Sequence, residues 1–564
     1  MSAGAGLNIV AFPRRLAKRF QVDFWTIGTL LLALFIAAPL LSVSYLALQP
    51  SGDIWHHLLT TVLSRYVITT IGLMLGVGIG TLLIGAGTAW LVTLCRFPGR
   101  RIFEWALLLP LAMPAYVVAY VYTDVFEYAG PVQTLLRAIF GWESSRDYWF
   151  PEIRSLGGAI FVMTVTLYPY VYLLARVAFV QQSVCILEVS RTLGKTAWQS
   201  FFSIALPSAR PSLIIGVSLV LMEALNDFGT VDFFAVETLT AGIFDVWLNM
   251  NNLSGAAQLA VVALCFVLLL LWAERKSRSN QRYFNTSTKF QALPSYQLRG
   301  IKMLCAVSFC LLPIGFGFIV PSCILGYYAW GFYEESISRD FYSILSNSLV
   351  LSTLSATLSV VAGIYLAYAV RLKDNKLLKS TARFASIGYA VPGAVLAVGV
   401  LIPMGKMDVF IQGFLNNTFG ISSGLFFSGT ITAVSYGYLA RFLALSYGTM
   451  EASLMRITPN MDGAARTLGL GPARTLKRIH IPMIRGGILA AAILVFVDTM
   501  KELPMTIILR PFNFETLATQ VHQLATDELL EESALGSLSI VAAGLLPVVY
   551  LSRTIRDARP GAGK

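Results

Sequence analysis

The sequence predicts an all-α polytopic membrane protein, with twelve transmembrane helices arranged as two parallel six-helix repeats. Three observations predict it. Of 564 residues, 56% are hydrophobic and only 13% charged, with a mean hydropathy of +0.69, more apolar surface than a soluble core of this size requires. Apolar runs close to the roughly 20 residues that cross a bilayer recur along the chain. Finally, two basic stretches punctuated by Gly and Pro lie 275 positions apart: EVSRTLGKTAWQSFFSIALPSAR from Glu188 and GAARTLGLGPARTLKRIHIPMIR from Gly463. Arg191, Gly194, Ile204, Pro207 and Arg210 thereby fall on Arg466, Gly469, Ile479, Pro482 and Arg485.

The predicted spans are 24–48, 67–95, 102–123, 157–180, 212–228, 256–273, 301–328, 345–370, 384–404, 424–447, 486–500 and 534–552. The first is too long, and too poor in a small-residue cleavage site, for a signal peptide. Basic residues cluster on one side: Arg14, Arg15, Lys18 and Arg19, then Arg96, Arg100 and Arg101, both repeated stretches, the 275–302 segment, 371–383 and the C-terminal tail. Acids such as Glu143, Asp147, Glu334, Glu335, Glu531 and Glu532 take the other side. Cytoplasmic loops retain positive charge, so both termini and both repeated stretches are expected in the cytoplasm. The net charge of +12 therefore needs no nucleic acid; its partner is the lipid bilayer. A polar stretch over 274–300 divides a first half, 1–273, from a second, 301–564. Six spans per half leave both halves facing the same way, which puts a translocation path at their interface. The six cysteines show no metal spacing and are read as packing residues.

Each repeated stretch reads as a short helix, a Gly turn, a second short helix, and a Pro that starts the next span. This resembles the EAA loop of permease subunits in binding-protein-dependent ABC importers: Glu-Ala-Ala, three residues, Gly, nine residues, then Ile-x-Leu-Pro. The first copy offers Glu188, Arg191, Gly194 and Pro207; the second offers Ala464, Ala465, Arg466, Gly469 and Pro482, with Asp462 one place before the position of the missing Glu. The resemblance implies a helix seated on a cytoplasmic ATPase in each half, and so two ATPase copies. The alternative reading is an interfacial anchor helix.

The chain is not read as the ATPase, nor as an enzyme. Gly194-Lys195-Thr196 looks like the end of a phosphate-binding loop, but Val189 stands where that motif needs Gly. No cofactor is expected on this chain; ATP and Mg belong to the partner ATPase. Inside the spans, Glu223 and Asp227 recur at the same offset as Asp498 and Glu502. Spacing of i, i+4 places each pair on one helix face, about 20–25 Å from the cytoplasmic end. Intramembrane carboxylates are costly, so these are read as facing a path for a cation, their hard oxygens suiting ferric iron better than a soft cation and an organic ammonium equally well. A second reading has them hydrogen-bonding re-entrant backbone, with Lys501 neutralising one. His56 and His57 are read as ordinary loop residues.

The segments EALNDFGTVDFFAVETLTAGIFDVWLNMNNLSGAAQLA and DTMKELPMTIILRPFNFETLATQVHQLATDE, with the fused two-half layout, look like ferric-iron permeases of ABC importers. That resemblance covers essentially the whole chain. It implies a permease of the bacterial inner membrane, receiving Fe(III) from a periplasmic ferric-iron-binding protein by alternating access. Fused permeases for thiamine or aminoethylphosphonate share the layout, and a proton- or sodium-coupled secondary transporter of parallel repeats is the competing class.

Overall fold

The computed structural model of the chain describes residues 24–180, 192–194, 196–279, 296–337, 339–373, 375–420 and 424–557. Helices dominate, and the one β pairing among the described residues joins Cys95–Arg96 to Tyr296–Gln297. Nine described helices are long and apolar enough to cross a bilayer. Two bent pairs meet the same standard jointly: Arg100–Ala112 with Ala115–Phe140, at 89°, and Pro472–Met483 with Arg485–Met500, at 78°. The chain is thus an all-α, multi-pass membrane protein, with nine to eleven such spans among its described residues against the twelve expected. The remaining expected span corresponds to Ile431–Met455, 25 residues long, where Ser435, Arg441, Ser446 and Glu451 lower the hydropathy of the run.

Two spans expected as continuous are broken, and proline is the cause. Pro114 and Pro392 each occupy the N-cap of a following helix, Ala115–Phe126 and Gly393–Phe419. The residues before them, Met113 and Val391, are extended, because the proline ring excludes the helical region from its predecessor. Each break falls at the same place relative to its half, so the chain makes the same corner twice. The helix Leu253–Ser279 also continues past residue 273 into the segment expected as linker.

Elements recur in order along the two halves. Leu156–Val180 is matched by Ile431–Met455, and the π-helical turn Phe201–Ala205 by Leu476–His480. Each π turn sits directly before the helix carrying Pro207 or Pro482. Proline has no N–H to donate and its ring collides with the carbonyl four residues back, so a looser turn accommodates it.

The first span of each half packs on the other half. Phe24–Ala47 lies against Gly393–Phe419, and Tyr436 Oη donates to Phe35 O at 2.5 Å. Reciprocally, Val320–Gly331 lies against Ala115–Phe126, and Tyr122 Oη donates to Phe316 O at 2.5 Å. Glycine permits the first crossing: a Cβ on Gly399 would stand 2.2 Å from Pro39 O. Gly399→Leu is therefore expected to destabilise the protein by about 1–3 kcal/mol, read as a lower melting temperature of the detergent-purified chain. Gly405→Leu, with nothing within 4 Å of its Cβ, is expected to leave that temperature unchanged.

Candidate substrate cavity and coupling loops

The spans Leu206–Asn226 and Arg485–Met500 end at matching positions, at the end remote from the repeated loops. Beyond each, the chain turns into a short helix, Gly229–Phe233 or Pro504–Leu509. The i, i+4 expectation for the carboxylates fails here: Asp227 is already off its helix, with ψ 123, and Glu502 lies past Met500. The reason is capping. Asp227 Oδ1 accepts from Thr230 N at 2.8 Å and Oδ2 from Thr230 Oγ1 at 3.1 Å. Glu502 accepts from Met505 N and Thr506 N, each at 3.1 Å, and from Thr506 Oγ1 at 2.8 Å. Free N–H groups at a helix start are satisfied by an acceptor side chain, and its negative charge suits that end of the dipole.

Even so, all four acids meet. Glu223, Asp227, Asp498 and Glu502 line a single cavity of about 100 Å³ between the halves, together with Arg441, Lys501, Tyr116, Tyr170 and Tyr389. Arg441 Nη1 donates to Glu502 Oε1 at 2.8 Å, both side chains being nearly fully buried. Lys501 Nζ pairs with Asp498 Oδ1 at 2.9 Å. Glu223 Oε1 accepts from Tyr389 Oη of the second half at 2.7 Å, and Asn226 Oδ1 accepts from Gly393 N at 2.6 Å. Gly393 leaves room for the ion pair: its Cβ would lie 2.4 Å from Arg441 Nη1 and 2.8 Å from Glu502 Oε1. With every group ionised, four carboxylates face two cations. Asp227 and Glu502 thus cap short helices, Asp498 pairs with Lys501, and all four acids line the cavity. Among the described residues no group of three or more His, Cys, Asp or Glu side chains is placed to hold a metal; His56 and His57 are exposed on Ile54–Thr61.

At the opposite end, Gly194 and Gly469 both adopt positive φ, 74° and 77°. In the second copy, Leu470 N reaches Ala465 O and Gly469 N reaches Arg466 O, each at 3.0 Å, closing Pro459–Thr467 with a left-handed Gly just past its end. The leucines before the two turns, Leu193 and Leu468, are 72% and 79% exposed. Ala464 and Arg466 are exposed while Ala465 is buried. Asp462 is engaged within the chain: Oδ2 accepts from Arg371 Nε at 3.0 Å and Nη2 at 2.8 Å, and Oδ1 is 2.7 Å from His480 Nε2. Glu188 and Arg191 of the first copy lie outside the described residues.

Residues 81–279 match the family of the binding-protein-dependent transport system inner membrane component. The chain is 26% identical over 494 residues to the Fe(3+)-transport system permease protein FbpB 2 of Haemophilus influenzae, covering 86% of this chain and 88% of that one. It is 22% identical over 534 residues to the ferric transport system permease protein FbpB of Actinobacillus pleuropneumoniae, covering 87% and 73%. The molybdenum transport system permease protein ModB of Escherichia coli matches 34% of this chain at 28% identity, over 84% of its own length. The chain carries a binding-protein-dependent transport permease domain over residues 81–279. It is a transport subunit and not an enzyme.

The sequence reading of this permease missed Arg441, Tyr116 and Tyr389. Arg441 had a signal, since an arginine inside an otherwise apolar 25-residue run marks a functional position by default. The tyrosines had none, because only the corners at Pro114 and Pro392 bring them beside the acids. A smaller cavity of about 40 Å³ beneath the second loop is lined by Tyr368, Arg371, Asp462, Arg466 and Pro472. There Tyr368 Oη donates to Pro472 O at 2.8 Å, so this loop is tied to the C-terminal end of Arg339–Lys373.

Proposed function

We propose that this permease imports ferric iron across the bacterial inner membrane, with both termini cytoplasmic. The observation that carries the reading is the cavity at the meeting of the halves, where four carboxylates outnumber two cations. An excess of buried negative charge favours a cation, and carboxylate oxygens favour a hard one. The relatives named for Fe(3+) and ferric transport match most of the chain. Those named for sulfate match less than half of it, and an oxyanion such as sulfate would be repelled by the same carboxylates. The cavity is also well below the roughly 300–1,000 Å³ of sites for drug-sized organic ligands, which disfavours thiamine.

In this reading a periplasmic ferric-iron-binding protein delivers the ion at the outer face. Two cytoplasmic ABC ATPases dock on the Gly194 and Gly469 loops, where Leu193 and Leu468 offer apolar anchors. ATP and Mg stay on those partners, and their closure and opening switch the halves between outward- and inward-facing states. The deciding experiment is uptake of radiolabelled ferric iron by cells lacking the chain, with wild type restored. Wild type is expected to recover ATP-dependent uptake. Recovery of thiamine or aminoethylphosphonate uptake instead would overturn the iron assignment, and uptake that survives ATP depletion at constant membrane potential would indicate a secondary transporter.

A further inference from the structure

The two halves supply their cavity with different charges. Arg441 and Lys501 serve the second half's Glu502 and Asp498. The residues 275 positions earlier are Thr166 and Asn226, and both line the same cavity. Neither can neutralise a carboxylate. The first half's Glu223 and Asp227 therefore keep only neutral hydrogen-bond donors: Tyr389 for the one, and Thr230 for the other. Lys501 acts on Glu223 electrostatically, but its direct contact is with Asp498. The surplus negative charge thus sits on the first half's wall.

A second, independent feature points the same way. Tyr116 lines the cavity and is 95% buried, being 5% exposed. Among the described residues its hydroxyl has no hydrogen-bond partner, although it lies within the fields of Asp227, Lys501 and Glu502. A buried phenol without a partner costs free energy comparable to a lost hydrogen bond. A ligand atom or ion in the cavity would relieve it.

We propose that Glu223, Asp227 and the Tyr116 hydroxyl form a subsite for a hard trivalent cation on the first half's wall of the cavity, and that the Arg441 and Lys501 pairs keep the opposite wall from competing for it. This inference rests on the import reading above and places the ion within it. Two carboxylates and a phenol give three oxygen donors of the class that hard cations take. The second wall, already neutralised by its own cations, has no such surplus. A single ion would then be held off the two-fold relation between the halves.

The test is binding of radiolabelled ferric iron, supplied as its nitrilotriacetate complex, to the purified full-length chain in detergent. Wild type is expected to bind one equivalent. Tyr116→Phe, which removes only the hydroxyl, and Thr166→Arg, which gives the first half the second half's cation, are each expected to weaken binding by about tenfold or more. Glu223→Asp should retain more affinity than Glu223→Gln. Thr166→Arg can fail to fold, so it counts only where its elution and melting temperature match wild type, whereas Tyr116→Phe leaves the packing almost unchanged. Equal binding by wild type and Tyr116→Phe, or no binding by wild type, would overturn the subsite. The companion uptake assay separates the two readings: ATP-dependent ferric uptake with Tyr116→Phe and Glu223→Gln indifferent removes the subsite alone, while absence of ferric uptake by wild type removes the import reading with it.

Discussion

Arg441→Met alone is expected to destabilise the folded permease by about 3–5 kcal/mol, the usual consequence of stranding one member of a buried ion pair. Glu502 would then be left buried, at 4% exposed, with a charge that only the Thr506 and Met505 donors still oppose. The double variant Arg441→Met with Glu502→Gln is expected to recover most of that loss. Glutamine keeps an acceptor for the short helix Pro504–Leu509, and no charge remains unpaired. The measurement is the melting temperature and monodisperse yield of each detergent-purified variant, closed as a double-mutant cycle. If the single variants add without coupling, the pair is not what holds this corner of the second half together.

Gly469→Val is expected to abolish ATP-driven uptake, whereas Gly469→Asn is expected to retain a substantial part of it. The distinction follows from the backbone. A Cβ at Gly469 meets nothing within 4 Å, yet φ is +77°. Space is therefore available for any side chain, and conformation alone selects. A non-glycine residue in the left-handed region costs roughly 1–2 kcal/mol; asparagine tolerates it best, and a β-branched residue is a genuine outlier there. Val would turn Leu468 away from its exposed position and reset the angle between Pro459–Thr467 and Pro472–Thr475. Uptake, together with ATPase activity of the assembled transporter, would check it. Equal loss with Val and Asn would mean that the side chain's bulk at a docked surface, not the turn, is the constraint.

The sequence carried the class of the protein and the location of its two recurring loops, because apolar run length and the Gly-to-Pro spacing are local signals. It also singled out the four acids that line the cavity. What it did not carry was how they are held. Asp227 and Glu502 leave their helices because the following residues open new ones, and a cap of that kind is set by where the next helix starts rather than by periodicity. Arg441 reaches Glu502 across 61 positions, and Tyr389 reaches Glu223 across 166. Neither separation leaves a local trace. The corners at Pro114 and Pro392 fall inside apolar runs that read as straight spans, since hydropathy does not register a break whose flanks are equally apolar.

The exchange of first spans between halves imposes a schedule on synthesis. Phe24–Ala47 packs on Leu253–Ser279 of its own half, but its contact with the second half forms only when Gly393–Phe419 has been made, about 350 residues later. At 5–20 residues per second, that is an interval of roughly 20–70 s. Throughout it the opening helix has lipid where Gly399 will later meet Pro39, and the first half, however well inserted, waits with one of its walls unbuilt. A nascent chain arrested before the second half would thus be inserted but unfinished, and a quality-control protease of the membrane would meet it in that condition.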